Sequence, residues 1–476
     1  MDIPKPVFEK KLKKISWKKI YSREYGVQYS EMAIMCLSYK AKHHIPATSD
    51  FQVIIPEGNN TVFYIDDISW VKLVESLNKR YTSDVKQLEE YEKQFVHDGK
   101  AYLNTAVKIA RMDLKSSSNN KIKDLYLDYQ NKLFHYSVFA WTSFILNNYV
   151  SERATAILDD YIKNSQGVDR QLFLDSLFKP TQKAVVLELQ EEVEKHDGKL
   201  SKATFEGIYE KYKWLSCLDI HNKPWTKEEF HQHITSFTQT VKKSILSLSE
   251  ISETLKIKSS DFDYLSIAQR FVYIKDARDD YRRQGVYHAL VFFKELAKRI
   301  GIKPEEMSYL QQAEVVAFLD GKIKISKKLI SDRKKGFVLY LDKNKTLVCV
   351  SGRDITITLR KFNLLFTEEK EKELRGSVAS RGMATGKVII VRGVKDLHKV
   401  QKGDVLVALT THPDYVPVMR KSVAIVTDEG GITSHAAIVS REFGIPCIVG
   451  TKYATSVLKD GDLVEVNAID GWIKKL

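Results

Sequence analysis

Apolar, β-branched and aromatic residues cluster in short runs on either side of two polar turns, and each pair of runs predicts a hairpin. Phe51–Ile55 and Thr61–Ile65 are β-rich runs around Pro56-Glu57-Gly58-Asn59-Asn60; Phe337–Leu341 and Thr346–Val350 flank the turn Asp342-Lys343-Asn344-Lys345. Residues 1 to about 45 read as helical pieces on either side of Ser22-Arg23-Glu24-Tyr25-Gly26. From Asp67 to about Phe318 apolar positions recur at helical spacing. Breaks at Ser116–Asn120, Lys179-Pro180, Asp197-Gly198, Asn222-Lys223-Pro224 and Gly301–Pro304 divide this stretch into antiparallel helices. Thr367–Arg375 is charged and glycine-free, and reads as a linker. Beyond Gly376 short β-rich runs (Lys387–Val391, Asp404–Ala408, Val423–Val426, Cys447–Val449, Leu463–Val466) alternate with glycine turns and short helices. That pattern predicts a compact α/β unit of about a hundred residues.

Composition narrows this picture only a little. The 476 residues are 43% hydrophobic and 29% charged, a soluble globular balance with room for two or three cores. No run approaches the roughly 18 consecutive apolar residues of a membrane span, and no apolar signal core follows Met1-Asp2-Ile3-Pro4-Lys5; a cytoplasmic location is expected, with no membrane partner. Cys36, Cys217, Cys349 and Cys447 lack metal or redox spacing and read as reduced thiols. The net charge of +14 comes from lysines mixed with acids along helices, and no nucleic-acid signature accompanies it. His43-His44 and His231/His233 have no carboxylate or cysteine at ligand spacing, so no metal site is expected.

The chemistry concentrates in Ile425–Pro446. It reads as a buried strand, a diglycine turn at Gly430-Gly431, and a helix that opens near His435 and stops at Gly444. Thr433 and Ser434 are natural N-cap residues. His435 therefore stands in a first helical turn, where unpaired N–H groups and the helix dipole favour an anion. A neutral imidazole is a competent nucleophile near neutral pH. The Thr433 and Ser434 hydroxyls are placed to meet a phosphoryl group carried there. For Arg441, six residues on, two readings stand: it reaches the phosphate, or it pairs with an acid.

Gly430-Gly431-Ile432-Thr433-Ser434-His435-Ala436-Ala437, continuing to Arg441, resembles the active-site signature of the phosphoenolpyruvate-utilising enzymes. The likeness extends upstream to Thr410–Met419 and downstream to Gly444–Gly450, Ala454-Thr455 and Asp460-Gly461-Asp462. Ser380-Arg381-Gly382 departs from the Ser-Pro-Gly common in that family. The resemblance implies that His435 carries a phosphoryl group, supported by Thr433, Ser434, Gly430, Gly431 and Arg441. It also implies a multidomain α+β fold. A large, mainly helical region with β-hairpins near 51–65 and 337–350 would span 1–366. A linker at 367–375 would lead to a swivelling β/β/α phosphohistidine domain at 376–476.

Relatives of this kind need a donor module, usually ATP-grasp, and no Walker-type loop or glycine-rich phosphate loop occurs here. The resemblance thus implies that Mg²⁺ and ATP sit on a separate ATP-grasp partner, with nothing bound tightly by this chain. It further implies a small-molecule acceptor held by the helical region. Residues 200–360 resemble, diffusely, the helical middle domain of rifampicin phosphotransferase, most clearly at Tyr273–Arg283. Arg278 and Arg282 lie four apart and either meet an anionic acceptor or form a salt-bridged surface with Asp276, Asp279 and Asp280. His288 is a third acceptor-binding candidate or else a core residue, and Arg23 either lines a site or serves to cap and pair in its turn. The aromatic run Leu133–Tyr149 is either core or the wall of an apolar pocket. The alternative function is a phosphocarrier or regulatory adaptor with no acceptor site of its own.

Overall fold

A computed structural model describes residues 12, 14–57, 60–163, 165, 167–179, 182–196, 200–235, 246–364, 373–411, 415–432, 434–451 and 453–476. Its first half begins with β1 (Trp17–Arg23), α1 (Val27–Leu37), β2 (Gln52–Glu57), β3 (Asn60–Asp66), α2 (Asp67–Tyr81), α3 (Val85–Ala110), α4 (Asn119–Lys163) and α5 (Arg170–Leu177). Short helices then lead to α6 (Ser259–Ile300), β4 (Phe337–Leu341) and β5 (Leu347–Ser351). The Asp66 carboxylate caps α2 by accepting from Ser69 N at 2.9 Å, which is why the helix starts where the periodicity changes.

Both hairpins join one five-stranded sheet in the order β1-β3-β2-β4-β5. The strand β1 corrects the reading of residues 1–45 as helical. Trp17–Arg23 pairs antiparallel with β3, Trp17 opposite Asp66 and Arg23 opposite Thr61. Its lysines mask a run whose Ile20, Tyr21 and Ser22 are all buried. The pairing partner lies some forty residues away, so local composition does not reveal it.

Helices α3, α4 and α6 pack alongside one another around an aromatic core that includes Tyr91, Phe95, Tyr102, Tyr129, Tyr136 and Phe293. Two glycines set how closely they approach. A Cβ on Gly99 of α3 would lie 2.7 Å from the Tyr281 ring, and one on Gly285 of α6 would lie 2.2 Å from Tyr102. Among the described residues no helix is long and apolar enough to cross a membrane.

The remaining strands are β6 (Glu373–Arg375), β7 (Ser377–Ser380), β8 (Met383–Val391), β9 (Val405–Ala408), β10 (Ala424–Thr427), β11 (Cys447–Val449), β12 (Leu463–Asn467) and β13 (Trp472–Lys475). They form an eight-stranded sheet, β6-β13-β12-β8-β9-β10-β11-β7. From β8 to β11 the pairing is parallel; the flanks are antiparallel. Of the segment read as a linker, 367–372 lies outside the described residues. Its last three residues instead make β6, which pairs with β13 and buries Leu374. Alternation of Glu373, Leu374 and Arg375 suits an edge strand; in so short a run it is masked by the charges around it. Side chains alternate between two cores. Val405, Val407 and Val426 face one, while Leu406, Ala408 and Ile425 face the other, which also takes Ala436, Ala437 and Val439 of the helix α7 (His435–Phe443).

Candidate functional site

Parallel strands β9, β10 and β11 end on the same side, and the loops beyond their carboxyl ends meet there, as ligand-binding loops do in open α/β sheets. The β10 loop is tied to β9 by Asp428 N to Ala408 O (3.1 Å) and Glu429 N to Leu409 O (2.8 Å). Asp428 is buried and accepts from Thr451 Oγ1 at 3.0 Å, from Thr455 N at 3.2 Å and from the Thr455 hydroxyl. Burial pushes its carboxyl up, and these donors, with Lys19, pull against that. Asp428 fixes the loop to the turn after β11.

Gly430 has φ +103°, a left-handed angle that strains other residues, and a Cβ there would meet Ser434 at 2.8 Å. Gly431 has open space around it instead, so only the first of the two glycines is needed for close approach. Ser434 caps α7, its Oγ accepting from Ala437 N at 3.3 Å, and Gly444 closes the helix in a left-handed C-cap. Thr433 lies outside the described residues. His435 occupies the first turn, half-buried, with Nδ1 2.9 Å from Thr411 Oγ1. Thr411 is the residue that sequence reasoning missed. It lies in the Thr410–Met419 stretch, where its buried hydroxyl gave no signal of its own.

Arg441 makes the pairing that was one of its two readings. Nη1 donates to Ile432 O at 2.8 Å and Ala379 O at 3.3 Å, bracing the loop before α7. Nε lies 3.4 Å from Asp175 Oδ1 on α5, across to the helical body. Further contacts cross the same boundary. Asn60 Nδ2 donates to Arg392 O at 2.6 Å, Ile432 packs against the helical core, and a Cβ on Gly393 would collide with Glu24.

Glu429 faces the charges of the first sheet. Burial pushes its carboxyl up to about 8; Arg23 and Lys19 of β1 pull it down, while Asp428 and Glu57 of β2 raise it further. The folded chain therefore favours protonated Glu429. The contribution is fully present below about pH 4.5 and is lost as pH rises toward 8. Hydrogen exchange in β1 and Asp428–Ile432, corrected for intrinsic rates, is expected to accelerate across that window. Glu429→Gln is expected to abolish the acceleration.

On the helical side, Arg282 is buried, donates to the Tyr29 hydroxyl, sits 3.8 Å from Asp279 Oδ1 and stacks 4.7 Å from the Tyr29 ring. Arg278 covers the half-buried Phe144 ring at 5.3 Å. Trp141 packs against Tyr21 at 5.1 Å and Phe144 at 6.2 Å, so this part of the aromatic run belongs to the core. His288 does not join them. Six residues past Arg282, it lies well round the helix, where burial and Arg111 lower its basicity. His44 Nε2 is 3.0 Å from His135 Nδ1, and His233 stacks on Trp225 at 4.4 Å. Among the described residues no group of three or more His, Cys, Asp or Glu is placed to hold a metal ion.

Residues 400–471 match the family described as PEP-utilising enzyme, mobile domain. The chain is 50% identical over 128 residues to a protein of Archaeoglobus fulgidus named "Probable phosphoenolpyruvate synthase", covering 26% of this chain and 17% of the relative. It is 53% identical over 108 residues to phosphoenolpyruvate synthase of Pyrococcus furiosus, covering 23% and 13%. It is 38% identical over 188 residues to that of Aeropyrum pernix, covering 37% and 23%. The chain thus matches less than a quarter of the length of each of these relatives.

Proposed function

With a phosphoenolpyruvate-utilising mobile domain over residues 400–471 as the premise, we propose that this chain is the phosphohistidine component of a two-part phosphotransferase. His435 takes a phosphoryl group that originates on ATP, delivered through a separate ATP-grasp subunit, and passes it to a small hydroxylated acceptor held by the helical body. The observation that carries this reading is the Thr411–His435 pair at the mouth of α7, in a loop packed against that body.

With Nδ1 protonated and donating to Thr411 Oγ1, the ring presents its lone pair on Nε2. Nε2 attacks the donor phosphorus; an N–P bond forms as the P–O bond to the leaving group breaks, and the Nδ1 proton stays in place. The first-turn N–H groups of α7 favour the new negative charge. In the second half-reaction the acceptor hydroxyl oxygen attacks the same phosphorus, the N–P pair returns to Nε2, and the hydroxyl proton leaves to solvent. Mg²⁺, entering with the nucleotide, supplies charge neutralisation at the transferring group. Transfer between two partners requires the mobile domain to leave the docked position and return.

Incubating the chain with the ATP-grasp partner, Mg²⁺ and γ- or β-labelled ATP is expected to give a protein-bound label that is acid-labile and base-stable. No label would overturn the proposal. Thr411 is a positioning residue, and a hydrogen bond to a ring that becomes cationic contributes about 1.5–3 kcal/mol. Thr411→Val is therefore expected to slow label uptake about 10- to 100-fold, with Thr411→Ser restoring it. The phosphocarrier alternative draws on one observation: the cavity beside Tyr29 and Arg282 has a volume of about 30 Å³, enough for a water. It predicts label passing from His435 to a further protein and never to a small molecule.

A further inference from the structure

Helix α6 carries Arg278, Asp279, Arg282 and Arg283 within an arc of roughly 140° at about 100° per residue. Burial pushes the Asp279 carboxyl up, yet Arg282, Arg278, Arg283 and Arg23 together hold it below the ordinary range. Of these four, Arg282 stands 3.8 Å from Asp279 Oδ1, and one carboxylate balances one guanidinium. Arg282 spends its charge on Tyr29 and Asp279. Arg283 does not. Only 8% exposed, it has a buried Nε with no hydrogen-bond partner, and it makes no ion pair among the described residues. Its electrostatic neighbours are Asp279 and the Cys217 thiol. The Arg282 Nε is likewise buried and unpartnered.

A buried cation without a counter-ion is strongly unfavourable, and a guanidinium fork is matched by an oxyanion. Arg23, the last residue of β1, exerts a pull on the Asp279 carboxyl and on that of Glu429 in the loop that leads to His435. We propose that Arg283, with Arg278 and Arg282, forms an oxyanion site that seats a carboxylate or phosphate group of the phosphoryl acceptor. The acceptor is then an anionic hydroxylated molecule, its charged end held on α6. The assignment to the acceptor rests on the phosphotransfer reading; the anion site itself does not.

Thermal unfolding of the full chain, at constant ionic strength, tests this with inorganic phosphate, with acetate, and with chloride as reference. Phosphate, acetate or both are expected to raise the midpoint, and which of them does so identifies the acceptor's charged group. Arg283→Met is expected to melt in chloride no lower than the parent, because it removes a buried charge that has no partner. It is also expected to weaken the anion response about tenfold or more, whereas His435→Asn keeps it. Three results would overturn the site: neither anion raises the midpoint, the rise survives Arg283→Met, or Arg283→Met melts well below the parent in chloride. Absence of label at His435 touches none of these readings, so the two proposals fail separately.

Discussion

His435→Asn is expected to fold as the parent does and to take up no acid-labile label from ATP and the ATP-grasp partner. The fold is spared because the imidazole contributes little to what holds α7. That helix is capped by Ser434 and closed by Gly444, and its buried face is Ala436, Ala437, Val439 and Ser440. Asparagine keeps a polar group beside Thr411 and a residue tolerated in a first helical turn. It has no nucleophilic nitrogen, since the amide lone pair is delocalised, so no N–P bond forms. Covalent catalysis is all or nothing at this step, and the expected loss is below detection, about 10⁴-fold or more. The check has two parts: circular dichroism and a thermal midpoint within a few degrees of the parent, and label counted after acid and after base treatment. Label that persists in the variant would place the phosphoryl group elsewhere.

The second large effect is on stability. Gly285→Ala is expected to destabilise the helical body by about 2 kcal/mol. The added Cβ would lie 2.2 Å from Tyr102, and Tyr102 has nowhere to go. Its hydroxyl shares a 2.9 Å hydrogen bond with Tyr129, and its ring stacks on Tyr136 at 5.5 Å with 3° between planes. All three tyrosines are fully buried. The better helix propensity of alanine returns up to about 1 kcal/mol, less than the overpacking costs. Gly207→Ala is the control: that glycine sits in the helix Lys202–Tyr212 with nothing within 4 Å of a Cβ, and alanine there is expected to be neutral or slightly stabilising. Denaturant unfolding followed by tyrosine fluorescence reads both. A Gly285→Ala chain as stable as the parent would mean that α3 and α6 separate easily.

The helical stretch from Asp67 was legible because it has a local period, and both hairpins and the buried strands after Gly376 because short β-rich runs stand between turn residues. The strands β6, β7 and β13 were not, for they are three or four residues long and exist through partners. The site divides in the same way. The glycine turn, the Ser434 cap and His435 are contiguous, so the sequence displays them together. Thr411 reaches His435 from 24 positions away, and Asp175 reaches Arg441 from farther still. Arg278 and Arg282 stand out in the sequence by their spacing as candidates, whereas Arg283 is distinguished by burial without a partner, which no spacing reports. His288 shares their helix but lies well round it from Arg282, which an apolar face alone did not say.

Arg441 grips two backbone carbonyls of its own unit and only one carboxylate across the boundary. Undocking would therefore break a single, largely buried ion pair and leave the pair of tethers in place. The bend ahead of α7 is held from within. A phosphoryl group loaded at one station would travel to the next on a mount that needs no rebuilding at either.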